Sequence, residues 1–144
     1  MGFILFRKFL PYIRNYYKDY NITLIGNNSH KSIIEYFDIN YIDKYIYYQG
    51  IFCNIEDLKC FIDKNNIKYH ILISHFYGRQ SPHNDIVSCI NAKEKIGYYG
   101  SLGSLSHGMR EDSSKIYTKL IYNYIDTDEK VHEITRNKIF LNSF

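Results

Sequence analysis

Apolar and polar positions alternate in short blocks along this chain, and the period of the blocks switches repeatedly between helix and strand. Phe6, Leu10, Ile13 and Tyr17 recur at helical spacing while Arg7, Lys8, Arg14 and Lys18 take the other faces, which predicts a first helix. Pro11 removes a backbone donor, so it either kinks this helix or sits in an irregular first turn. The run Ile22-Thr23-Leu24-Ile25, closed by Gly26-Asn27-Asn28, predicts a buried strand ending in a turn. Ser29 is placed to cap a second helix carrying Ile33, Ile34 and Phe37. Tyr45-Ile46-Tyr47-Tyr48, followed by Gly50, has the composition of a strand.

Asn54 can cap a third helix, with Glu56 and Asp57 in the first turn, where the helix dipole favours carboxylates, and Leu58, Phe61 and Ile62 on its buried face. Tyr69 to Ser74 is the clearest strand pattern in the chain. Ser81-Pro82 reads as a cap followed by proline at the first helical position, with Ile86, Val87 and Ile90 along one side. Lys95 to Tyr98 and Tyr117 to Tyr122 predict two more strands, and Glu129 to Leu141 a final helix. The glycine-rich stretch from Gly97 to Gly103, with Gly108 beyond it, reads as a long polar loop. Strands that alternate with helices require crossover connections. The fold class is therefore α/β, a Rossmann-like, mostly parallel sheet with helices on both faces. Such a sheet usually opens with a strand and this chain opens with a helix, so the first strand is expected to be missing.

Length and composition narrow this further. A chain of 144 residues suits one domain, and 45% hydrophobic with 23% charged residues is the balance of a globular protein. Sixteen Tyr and nine Phe with no Trp, beside many Ile, Asn and Lys, match the residue usage of an AT-rich genome; a sugar-binding surface is the secondary explanation. A net charge of +3 gives no argument for nucleic acid as a partner. Cys53, Cys60 and Cys89 form no CxxC pair and fit free, buried thiols in a reducing compartment, with no metal site. No stretch approaches the roughly 20 apolar residues of a membrane span, and the N-terminal apolar run is too short for a signal peptide. The expected location is the cytoplasm.

Several segments resemble one family in order and spacing. The run from Gly2 to Ile13, containing Phe6-Arg7-Lys8-Phe9-Leu10-Pro11, is similar to the start of the first helix in family 9 glycosyltransferases, the lipopolysaccharide heptosyltransferases and their relatives. Tyr20 to Asn27 resembles that family's second strand, and Tyr69 to Ser74 with Tyr77-Gly78-Arg79 its fourth strand and acceptor loop. Asn91 to Tyr98 resembles its Ala-x-x-x-Ile-Gly step into the fifth strand. The resemblance implies one half of a two-domain, GT-B-type glycosyltransferase. Residues 1–144 would be a single, incomplete N-terminal domain that holds a glycan or lipopolysaccharide-core acceptor, with at most peripheral contact at the inner membrane. A nucleotide sugar would bind only through an absent C-terminal domain, and no cofactor is implied. The family's Gly-Asp pair is Gly2-Phe3 here, so the aspartate expected as general base is absent and no catalytic residue is assigned.

Candidate acceptor-binding residues follow from position. Arg79 lies just beyond a strand's carboxyl end, where open α/β sheets bind ligands, and its guanidinium suits a phosphate or carboxylate; a solvated loop arginine is the plainer alternative. His75 follows the same strand and His83 lies near the next helix start, each placed for a sugar hydroxyl or else a satisfied histidine. Asp85, expected in that helix's first turn, either grips an acceptor hydroxyl or stabilises the helix dipole. Arg7, with Lys8, Arg14 and Lys18, either attracts an anionic acceptor or forms a solvated helix face. The Gly97–Gly108 stretch lacks a phosphate-loop ending, and Ser104, Ser106 and His107 lack a nucleophile-elbow pattern. The rival class is a non-enzymatic α/β module, flavodoxin-like or receiver-like, acting through protein contacts.

Overall fold

The structure, a computed structural model, describes residues 5–49, 54–101, 105–122 and 132–144. It is α/β, with two small parallel sheets, and it divides into two compact units, Met1–Ile51 and Phe52–Phe144. Gly2 and Phe3, where the family's aspartate is sought, lie outside the described residues.

In the first unit a short 3-10 turn, Arg7–Phe9, leads into α1, Leu10–Tyr16. Pro11 falls in the first turn of α1, where no intrahelical hydrogen bond is lost to its missing N–H. Phe6, Phe9, Leu10 and Ile13 are buried, as the helical spacing requires. Strand β1, Thr23–Asn27, pairs in parallel with β2, Lys44–Tyr48, in a register running from Thr23↔Lys44 to Asn27↔Tyr48. The crossover between them contains α2, Lys31–Phe37, flanked by two 3-10 turns.

The expected turn at Gly26 is instead strand. The Tyr45 hydroxyl lies where a Cβ on Gly26 would sit, 2.5 Å away, and donates to the Asn27 carbonyl at 3.1 Å. Glycine here makes room for a cross-strand ring rather than bending the chain. Ser29 does not cap α2: the Asn27 side-chain oxygen accepts from the Ser29 N–H at 2.9 Å and caps the 3-10 turn Asn28–His30, and α2 follows at Lys31 with no side-chain cap of its own.

The second unit runs α3 Ile55–Lys64, β3 Lys68–Ser74, α4 Ser81–Cys89, β4 Asn91–Tyr98, α5 His107–Ser114, β5 Lys119–Ile121 and α6 Glu133–Leu141. All strand pairs are parallel, with β4 central in the order β3-β4-β5. Helix α3 forms as its pattern demands. Asn54 accepts from the Asp57 N–H at 2.8 Å, Glu56 and Asp57 fill the first turn, and Leu58 and Ile62 are buried. The core gathers Ile96, Tyr98, Ile121 and Phe140, with Ile71, Ile73, Tyr77, Leu141 and Phe144 packed around them. Tyr98 stacks on Phe140 at 4.2 Å between ring centroids.

Four expectations need correction. Strand β4 begins at Asn91, because the largely polar stretch Asn91 to Glu94 ladders onto β3 outside the apolar core that marks Lys95 to Tyr98. Residues His107–Ser114 are helix rather than loop: Ser106 accepts from the Met109 N–H and caps it, and Gly108 lies inside it. Helix α4 is capped at Gln80 without a side-chain bond, so Ser81 and Pro82 are both helical and Asp85 falls beyond the first turn. Cys60 is exposed and Cys89 half-buried, so the thiols are not core residues; Cys53 is outside the described residues. Residues 129–131 of the expected last helix also lie outside them, and α6 starts at Glu133. Among the described residues no helix is long and apolar enough to cross a membrane.

Candidate functional site

Parallel strands send all their carboxyl ends to one edge, so in the second unit the segments after β3 and β4 emerge side by side. Gly78 and Ser101 extend the pairing beyond the strands as an isolated parallel bridge. Gly100 has a positive φ of 72°, and a Cβ there would meet the Tyr77 carbonyl at 2.2 Å. Only glycine lets these two segments lie this close.

Arg79 sits within this edge at 1% exposure. Its Nε donates to Asn84 Oδ1 at 3.3 Å, Nη1 to the Tyr99 carbonyl at 3.4 Å and Ser114 Oγ at 3.0 Å, and Nη2 to Ser113 Oγ at 2.5 Å. The guanidinium also stands 4.9 Å from the centre of the Tyr117 ring. That ring lies over β4 where a side chain at Gly97 would be, a Cβ there meeting it at 2.4 Å, and its hydroxyl donates to Asn84 Oδ1 at 3.3 Å. Gly97 thus serves the Tyr117 ring and not a phosphate loop. Loss of solvent works against the charge on Arg79, and neighbouring Arg110 adds to this; Tyr117, Tyr99 and the Glu111 carboxylate offset part of it. Among the described residues Arg79 forms no ion pair.

Arg110, on α5, lies against the Tyr99 ring at 4.3 Å. Its Nη1 donates to the Gly100 carbonyl at 3.3 Å, and its shielded Nε has no acceptor among the described residues. The Tyr99 hydroxyl donates to Glu111 Oε1. Ser113 and Ser114 each donate to the Arg110 carbonyl while accepting from Arg79, so the two arginines are tied through one turn of helix.

The sequence candidates fall in different places. His75 and His83 are brought together around Phe76, whose ring stacks on His83 at 3.8 Å and lies 4.4 Å from that of His75. Burial, with His83 adding to it, pulls His75 down to about 4, and burial also lowers His83, so both rings are neutral near pH 7. Asp85 lies on α4 beside Asn84; its carboxylate bonds to none of the described residues, and its carbonyl accepts from Ser88. Arg7 belongs to the first unit, where it grips buried Asp38 with Nε at 2.5 Å and Nη2 at 2.9 Å and stands 5.2 Å from the Phe37 ring. Arg14 is likewise engaged, with Asp43 at 2.6 Å. The basic face of the first helix is thus partly consumed in internal ion pairs.

Sequence reasoning missed Asn84, Tyr99, Arg110, Ser113 and Tyr117. The signal for Arg110 was Ser106 as a helix cap before a run without proline; the apolar stripe that marks other helices is weak there, and α5 has no buried residue. Among the described residues no group of three or more His, Cys, Asp or Glu side chains could hold a metal ion.

These features define an α/β unit with a cationic, tyrosine-lined edge at the carboxyl ends of a parallel sheet. No family model, curated protein or solved structure matches the chain.

Proposed function

We propose that this chain supplies the acceptor side of a glycosyltransferase of the heptosyltransferase type, acting in cell-surface glycan synthesis. On this reading the fold is Rossmann-like, one half of a GT-B-type enzyme. A glycan or lipopolysaccharide-core acceptor lies along the carboxyl edge of β3-β4-β5, and a second Rossmann-like domain binds the nucleotide sugar. The observation that supports it most is the set of segments at that edge, Tyr77–Arg79, Tyr99–Gly100 and the Arg110 turn, which gather tyrosine rings and the Arg110 guanidinium, groups of the kind that hold sugars and anionic substituents, over buried Arg79. His75, directly after β3, and Asp85, on α4, remain the candidate hydroxyl partners, whereas Arg79 acts from within and Arg7 is committed to Asp38. The site would act in the cytoplasm, at most in peripheral contact with the inner membrane.

Calorimetry of this chain with lipopolysaccharide-core oligosaccharides and, separately, with nucleotide sugars tests the reading. Saturable binding of the oligosaccharide and none of the nucleotide sugar is expected; saturable nucleotide-sugar binding overturns it. A second reading, a module acting through protein contacts, is favoured by exposed Tyr36, Phe37 and Ile39 on the first unit, at 81%, 60% and 61% exposure. Failure of every sugar to bind, with capture of a defined protein partner lost on Tyr36→Ser, would favour it.

A further inference from the structure

We propose that Arg110, with buried Arg79 behind it, forms a binding site for a phosphate group in the second unit. The inference stands apart from glycosyl transfer and holds whatever molecule carries the phosphate. It starts from a charge imbalance. Arg7 and Arg14 each face a carboxylate, yet among the described residues neither Arg79 nor Arg110 has one within 4.0 Å. Every group that Arg79 touches is neutral: an amide oxygen, two hydroxyls, a carbonyl and a tyrosine ring. A cation held at 1% exposure with only neutral groups in contact is costly, and a second cation near it raises the cost, which the Glu111 carboxylate offsets in part from a distance. An anion at Arg110 lowers it for both.

The donors divide the work. Arg79 has committed Nε, Nη1 and Nη2 to protein acceptors, so it contributes its field and fixes the helix turn through Ser113 and Ser114. Arg110 has committed only Nη1, leaving Nη2 without a protein acceptor among the described residues. The Tyr99 ring fixes the plane of this guanidinium, so Nη2 is already oriented and loses little freedom on binding. Glu111, the adjacent carboxylate, accepts from the Tyr99 hydroxyl and forms no ion pair with Arg110, so Nη2 stays open to an external anion. A terminal guanidinium nitrogen, with its own N–H donors and the positive charge, suits an oxygen of a tetrahedral oxyanion.

The test uses the whole chain and inorganic phosphate as the probe, titrated by calorimetry at constant ionic strength with chloride as the balancing anion. The wild type is expected to bind saturably, with R110Q weaker by at least about tenfold and R110K weaker by a smaller factor, since lysine keeps the charge and loses the planar donor held by the Tyr99 ring. Circular dichroism and thermal unfolding in chloride report whether each variant folds; if R110Q does not, R110K carries the comparison. Absence of saturable binding by the wild type overturns the proposal, as does binding by folded R110Q and R110K with wild-type affinity.

Discussion

Arg7 and Asp38 form a two-point ion pair in which the carboxylate is almost out of water, at 4% side-chain exposure against 20% for the arginine. A pair of this kind adds little net stability over a hydrophobic alternative, but breaking it strands a buried charge. Arg7→Ala is therefore expected to lower stability by about 3 kcal/mol in urea denaturation, and Arg7→Ala combined with Asp38→Asn to recover part of the loss. His75 makes a prediction of the opposite electrostatic kind. Its folded value, about 4, lies below the ordinary 6.5, so unfolding takes up a proton between those two values. Stability is then expected to be full above pH 6.5, to fall as the pH drops towards 4, and to lose on the order of 3 kcal/mol through this residue. His83, also lowered, adds in the same direction. A His75→Asn variant should show a flatter dependence of unfolding free energy on pH over that window; an unchanged slope would remove His75 as its source. None of this was legible in sequence. The pattern put Arg7 and Arg79 in candidate ligand positions, but whether a guanidinium faces water or a partner depends on residues 31 and 20 positions away, Asp38 and Tyr99.

At the scale of elements, the sequence read best where an apolar stripe or a local cap sets the structure. Helix α3 formed around Asn54, Leu58 and Ile62, and β3 around the Tyr69 to Ser74 run, because both signals are local. It read worst where a distant side chain decides. Gly26 looks like a loop former, yet it lies in a strand, and at Gly26 and Gly97 alike it is a distant ring, Tyr45 or Tyr117, that fills the space a side chain would need. Helix α5 buries no residue, so hydrophobic periodicity had nothing to register, and its cap Ser106 was the one usable mark. The glycine reading is open to test. Gly97→Ala places a methyl 2.4 Å from the Tyr117 ring and is expected to cost about 2 kcal/mol in thermal or urea unfolding. In a Tyr117→Ser background the same change should cost much less, because the obstructing ring is gone. Equal costs in both backgrounds would mean that Tyr117 does not set the requirement for glycine.

On the scale of the whole molecule, alternation of strands and helices led to a parallel α/β reading, and each unit is built that way: β1-β2 with α2 in the crossover, and β3-β4-β5 with α4 and α5 between strands. The grouping of strands into two sheets was not legible, since alternation sets the direction of pairing but not which strands become neighbours. The parallel arrangement of the second unit matters most for function. It sends the ends of β3 and β4 to one edge, where Tyr77–Arg79 and Tyr99–Gly100 converge beside the helix turn of Arg110. The most direct test is to follow backbone amide resonances of the whole chain by NMR while adding a lipopolysaccharide-core oligosaccharide. Saturable shifts centred on residues 75–80, 99–101 and 110–114 are expected, with β1 and β2 unmoved. Shifts confined to residues 5–49, or no shifts at a concentration that saturates known sugar-binding proteins, would contradict an acceptor site at this edge.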